Sequence, residues 1–231
     1  MCSAGTKADF VVRIRFSGYL FTRMIKALFL IFEPVEAWDR VIKAQRGLGY
    51  LLLFYLLPMV LTVAALEGFS LMTWGRSQWD SGQTKIFSPG ETVVYETAQS
   101  LAMLAVVFIC AQIVKALCNA SFPRHNFKQG FTVAACGLSP LFLLRLLDVF
   151  PAINPWLTWG VGIMLCIGIL YHGIPRVMQP DPSQAFGLYV MCSVLFIMVT
   201  GLERFVSVWY LAGRIPSFEE LIPYFNRHLQ F

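Results

Sequence analysis

Charge is scarce in this chain. Charged residues make up 13% of the 231 positions, where a soluble domain usually carries about 25%. So little charge speaks against a soluble domain, and for a membrane protein a positive balance is no nucleic-acid signal. The formal net charge of +5 is instead read loop by loop, because lysine and arginine orient membrane proteins. Catalytic signatures are missing too: no GxSxG, HExxH or P-loop occurs. Gly47-Leu48-Gly49 lacks the third glycine of a dinucleotide fingerprint. The six cysteines form no CxxC pair and have no zinc-like spacing to histidine. They are expected to be small buried residues. No metal, cofactor or catalytic residue is expected, and the chain is expected not to be an enzyme. No cleavable signal peptide is expected either, since Arg23 and Lys26 interrupt the first apolar run.

What the chain has is hydrophobicity in long blocks, with 57% hydrophobic residues and a mean hydropathy of +0.64. Runs of about 20 apolar residues cross a bilayer. Five such spans are expected, over 48–68, 98–118, 131–150, 155–175 and 187–211. The fold class is therefore an all-α integral membrane protein with an N-terminal interfacial amphipathic region. Residues 1–46 form the N-terminal arm, 47–212 the membrane domain and 213–231 a tail. The stretch from Phe131 to Pro175 organises the domain. Two spans there flank a short proline-rich turn, so the second must return beside the first.

Within the arm, Leu20, Met24, Leu28 and Ile31 share one helical face, with Arg23 and Lys26 on another. That pattern fits a helix lying in the membrane interface. Pro34 opens a second helix, PVEAWDRVIKAQR, on which Val35, Trp38 and Ile42 share a face. Arg23, Lys26, Trp38 and Ile42 are the candidate docking surface, with Trp38 and Ile42 expected on the membrane surface or against spans 1 and 5. Further along, Ser88-Pro89-Gly90 reads as a turn in a polar stretch that ends near Gln99. Pro180 and Pro182 read as helix stops, and the tail is broken by Pro216 and Pro223.

Five spans put the termini on opposite sides. On the N-terminal side fall Lys7, Arg13, Arg15, Arg23, Lys26, Arg40, Lys43, Arg46, Lys115, Arg124, Lys128 and Arg176. Arg76, Lys85, Arg214 and Arg227 fall on the other. Twelve against four makes the N-terminus cytoplasmic and the C-terminus external.

Ionisable residues inside spans are expensive and mark partners or function. Glu67, Arg145, Asp148, Glu203 and Arg204 all fall in the outer half of their spans, with Gln99 at the same depth. Arg145 and Asp148 are three apart and share a face. This candidate outer cluster reads as interhelical pairing, or as a polar pocket for an anionic or zwitterionic ligand such as a lipid headgroup. Arg145 is expected to pair with Asp148, Glu203 or Glu67. A second candidate group, Gln112, Lys115 and His172, lies near the cytoplasmic ends. Gly162, Cys166 and Gly168 on the fourth span read as small residues for close helix packing.

The second half carries a family resemblance. The loop FPRHNFKQGF leads into a span with Gly137-Leu138-Ser139-Pro140, followed by Trp156. The next span ends Leu170-Tyr171-His172-Gly173-Ile174-Pro175, and Ala185 opens the last one. Together with Phe32-Glu33-Pro34 before span 1, this resembles the Yip-domain family of Ypt/Rab-interacting membrane proteins over about 30–212, in its bacterial inner-membrane branch. The resemblance implies a five-span Yip domain with a cytoplasmic N-terminus. Eukaryotic members bind small GTPases and act in membrane traffic. The arm here is short for that role, and the bacterial branch brings no chemistry to carry over. The expected function is a membrane-organising, lipid-interacting or scaffold protein. The alternatives are a small-solute transporter or permease subunit, or an accessory subunit of a larger complex. Expected partners are membrane lipids and either a membrane protein or further copies of this chain, with no nucleic acid.

Overall fold

The computed structural model describes residues 31–77, 83–121 and 126–214. The interfacial helix expected over 19–32, with Arg23 and Lys26, lies outside them apart from its last two residues. So do the tail from residue 215 and Cys2. Helix α1 spans Pro34–Ala44. The five helices long and apolar enough to cross a membrane follow: α2 over Leu48–Thr73, α3 over Pro89–Ser121, the third span over Phe127–Val149, α6 over Pro155–Met178 and α7 over Pro182–Leu211. A two-residue hairpin, Arg76–Ser77 against Thr84–Lys85, joins α2 to α3. The third span is broken into α4 (Phe127–Gly137), α5 (Ser139–Arg145) and a 3-10 turn at Leu146–Val149.

The helices reach further than the apolar runs, and the reason is capping. Ser88-Pro89-Gly90 is the start of α3 and not a free turn. Ser88 Oγ accepts from the Glu91 N–H at 3.2 Å, and Glu91 accepts from the Ser88 N–H at 3.0 Å, a capping box. Pro182 likewise begins α7 at its first turn, where the missing N–H has no partner to lose. Proline stops a helix from inside, but here it stands at the entrance.

The third span is the centre of the bundle. Of its most apolar stretch 72% is buried inside the protein, against 22% for α7. Large apolar side chains on the other spans face outward, including Leu53, Leu61, Met164 and Leu202, each more than half exposed. A water-facing surface rarely carries so much contiguous apolar area, whereas lipid requires it.

Two breaks in the spans face one another. Pro58 has no N–H to give to the preceding turn, and α2 answers with a π-helical turn over Leu52–Leu56. Pro140 does the same to the third span, which turns at Leu138. Tyr55, in the π turn, meets Ser139, at the break, with 2.6 Å between their oxygens. Ser139 gives its own proton to the Ala135 carbonyl at 2.9 Å, so Tyr55 is the donor to Ser139. Both irregularities are thereby tied together by buried hydrogen bonds.

Helix α1 docks through Trp38, which corrects the docking-surface expectation. Trp38 is fully buried. It packs with Tyr55, Cys136 and Ile169, so it meets span 1 as expected but spans 3 and 4 in place of span 5. Its indole N–H donates to the Ile169 carbonyl at 3.1 Å. Gly173 makes the slot: a Cβ there would stand 2.3 Å from the indole. A tryptophan carries too much apolar area to leave exposed when such a slot is available. Val35 and Ile42 remain on the surface. Replacing Trp38 with phenylalanine keeps the ring but removes the donor, and should cost about 0.5–1.5 kcal/mol. Hydrogen exchange should accelerate over residues 34–44 alone, while the spans keep their protection.

Glycines separate into packing and open positions. Gly162 lies against Leu141, where a Cβ would approach within 2.9 Å of the side chain. Gly168 has nothing near it, so the close-packing expectation holds for Gly162 and fails for Gly168, which faces away from the bundle. Cys166 and the other described cysteines are buried and free, as their residue type suggests.

Candidate functional site

The charged residues of spans 1, 3 and 5 converge at one end of the bundle. In the last span Glu203 and Arg204 are neighbours, so a helix turns them about 100° apart. Glu203 points to Arg145, and Arg204 points to Asp148. Arg145 reaches Glu67 Oε2 with Nε at 3.2 Å and Glu203 Oε1 with Nη1 at 2.9 Å. Its Nη2 donates to Ser207 Oγ at 3.3 Å. Ser207, one turn beyond Glu203, also meets the Tyr95 hydroxyl at 2.8 Å. Gln99 of α3 donates to the same Glu203 oxygen.

The second centre is Asp148. The 3-10 turn at the end of the third span brings it under α6. Asn154 caps α6 through the Trp156 N–H at 2.9 Å, which fixes Thr158 one turn in. Asp148 accepts from Thr158 at 2.7 Å and from Arg204 Nη2 at 2.5 Å. Arg204 also donates to the Pro155 carbonyl at 2.8 Å. Arg76, from the hairpin after α2, donates to the Asp148 carbonyl. Ser70 closes α2 onto the same corner through the Val149 carbonyl at 2.5 Å.

Arg145, Asp148 and Arg204 are all buried, as is Glu67. Arg145 pairs with Glu67 and Glu203, two of its three expected partners, and not with Asp148. A shared face did not decide the matter, because each side chain had an oppositely charged residue on another helix to meet. The cluster joins all five spans. The space left beside Arg145, Asp148, Glu203 and Arg204 is about 20 Å³, enough for one water and too small for a headgroup.

Two members were not anticipated. Glu96 is 9% exposed and Arg76 is 8% exposed, although the sequence pattern puts both in a polar loop. Each keeps a buried polar atom, Glu96 Oε1 and Arg76 Nε, without a hydrogen-bond partner among the described residues. The capping box at Ser88 was the available signal for Glu96. A helix begun at Pro89 puts Thr92, Glu96 and Gln99 on one face, and all three are buried there.

The second expected group does not assemble. Gln112 and Lys115 lie on α3, which packs against α2, α4 and α7, while His172 lies on α6, which packs against α1, the third span and α7. No hydrogen bond joins the three among the described residues. Gln112 is exposed, His172 rests edge-on against Tyr171 at 5.2 Å, and its carbonyl accepts from Arg176 at 3.1 Å.

At that same end lies a large groove of about 880 Å³. Helix α1, the start of α2, the start of α4 and the link from α6 to α7 form its walls. Arg40, Arg46, Lys128 and Arg176 line it, with Tyr55, Leu51 and Cys136 deeper in. Ile42 also lines it. Apart from Ile42, no candidate site residue pointed to this groove.

Five apolar helices, an outward apolar surface and an ionic cluster sealed between the spans define a multi-pass membrane protein. Residues 28–202 match the Yip1 domain, and the chain belongs to that family. No curated protein and no solved structure matches it.

Proposed function

We propose that this chain is a non-enzymatic, membrane-organising scaffold protein of Yip-domain type. One observation carries the reading. The charged cluster, the natural place for a reactive or solute-binding site, spends its groups on contacts between helices. Glu67, Arg145, Asp148, Glu203 and Arg204 are each bonded across to another span. A transporter that binds solute at broken helices needs polar groups free to exchange partners. Here the two breaks are bonded to each other through Tyr55 and Ser139. A rigid bundle with a broad apolar exterior is suited to holding lipid and a neighbouring membrane protein. Extraction in mild detergent should yield the chain with a stoichiometric protein partner or with firmly held lipid. Solute uptake into proteoliposomes containing the chain alone would overturn the reading.

The proposed setting is a bacterial inner membrane, with the N-terminus cytoplasmic. The excess of lysine and arginine at the N-terminal end supports it. Thr84 and Lys43 are exposed at opposite ends of the bundle. In a cysteine-free background, Thr84→Cys should react with an impermeant thiol reagent from outside intact cells, and Lys43→Cys only after lysis. The reverse pattern would invert the topology.

A further inference from the structure

We propose that the groove between α1, α4 and the α6–α7 link binds the phosphate headgroup of an anionic phospholipid. This deepens the lipid-holding side of the scaffold reading: failure here leaves that reading resting on a protein partner, whereas solute uptake would overturn that reading and leave this site standing. The first argument is charge. The lining carries Arg40, Arg46, Lys128 and Arg176 against a single acid, Asp181. Arg40 is bridged to Glu33 and Glu36, each at 3.3 Å, and Arg176 to Asp39 at 3.6 Å. Arg46 and Lys128 have no carboxylate partner among the described residues. Arg46 lies 4.6 Å over the Tyr50 ring, and Lys128 donates to the Gln45 carbonyl at 3.3 Å. These weak contacts hold both cations at the groove without neutralising them. The first turn of α4, where Lys128 sits, adds the positive end of a helix dipole.

The second argument is depth. Below the basic rim the lining turns apolar, through Val41 and Leu51 to Tyr55 and Cys136. A soluble anion would use the rim and leave this part empty. A phospholipid has both halves: a phosphate for the arginine and lysine, and glycerol and acyl carbons for the wall below. The volume of about 880 Å³ lies within the range of small-molecule sites. The third argument is position. The rim stands where α2 and the third span begin and α6 ends, at the level of the headgroups rather than at mid-bilayer.

The test uses the full chain in detergent, titrated with short-chain phosphatidylglycerol and, separately, with phosphatidylcholine of the same chain length. Thermal midpoint and native mass spectrometry are the readouts. The parent should prefer phosphatidylglycerol. Each cation removed should weaken its binding about fivefold. Arg46→Gln with Lys128→Gln should therefore lose about 30-fold and approach phosphatidylcholine. Lys43→Gln removes an exposed charge outside the groove and should change nothing. Thr132→Phe fills the groove wall without altering charge and should also abolish retention. Weakening by Lys43→Gln equal to that of the double variant would mean diffuse attraction and sink the site. So would unimpaired binding by Thr132→Phe. Inorganic phosphate raising the midpoint as much as the lipid would make this a free-anion site. A protein retained in place of lipid and displaced by the same variants would make it a protein interface.

Discussion

Replacing Arg145 with alanine should lower the stability of the bundle by about 3–5 kcal/mol, the cost of stripping one member from a buried ion pair. The size follows from what is left behind. Glu67 and Glu203 both face Arg145, at 3.2 and 2.9 Å, and among the described residues no other cation is paired with either. Water entering the vacated space can hydrogen-bond the two carboxylates but brings no positive charge to offset them. Arg40 provides the contrast. Its bridges to Glu33 and Glu36 are exposed, and such pairs are worth about 0–1 kcal/mol. Thermal unfolding in detergent should therefore separate Arg145→Ala widely from Arg40→Ala. Adding Glu67→Gln to Arg145→Ala should recover part of the loss, since one stranded carboxylate is gone. The triple change Arg145→Met, Glu67→Gln, Glu203→Gln should recover more. Buried ion pairs often contribute less than the neutral groups that could stand in their place. An Arg145→Ala protein that melts like the parent would mean the guanidinium is not enclosed by the spans at all.

That experiment also bears on how much the sequence disclosed. The spans were legible because twenty apolar residues in a row have few other uses. The charged cluster was legible because Glu67, Arg145, Asp148, Glu203 and Arg204 stand out against such runs, and all sit at one depth. Which arginine meets which carboxylate was not legible. Pairing depends on how five helices rotate about their axes, and Glu203 and Arg204 differ by one residue yet serve different partners. Glu96 was hidden by a boundary placed at residue 98, two turns too late. The groove was hidden more completely. Arg46, Lys128 and Arg176 belong to three separate segments, and each looks like an ordinary charge flanking a span. Trp38 misled for a related reason. An amphipathic helix announces an apolar face, but only Gly173, far along the chain, shows which surface receives it.

Gly130→Ala should cost about 1–3 kcal/mol, as overpacking of a filled site does, although it adds one carbon atom. Gly130 lies on α4 where it crosses α3. A Cβ there would stand 2.5 Å from the carbonyl oxygen of Ala111 and 3.4 Å from the Lys115 nitrogen. Both obstacles are backbone, so no rotamer change can clear them, and the helices themselves must move apart. Along α4 the next residue on this face is Ala134, fully buried like Ala111 opposite. This spacing of small residues lets two helices approach closely where lipid gives no hydrophobic drive for them to associate. Gly90 is the control, because nothing lies within 4 Å of a Cβ there, and Gly90→Ala should leave the thermal midpoint within a degree or two or raise it slightly. Gly130→Val should fall further than Gly130→Ala. The crossing also sets the position of Lys128, two residues away on the same first turn of α4. Gly130→Ala should therefore weaken phosphatidylglycerol retention as well as stability. A Gly130→Ala protein with the parent's midpoint would mean that α3 and α4 part at no cost, and that the close crossing does not hold the third span in place.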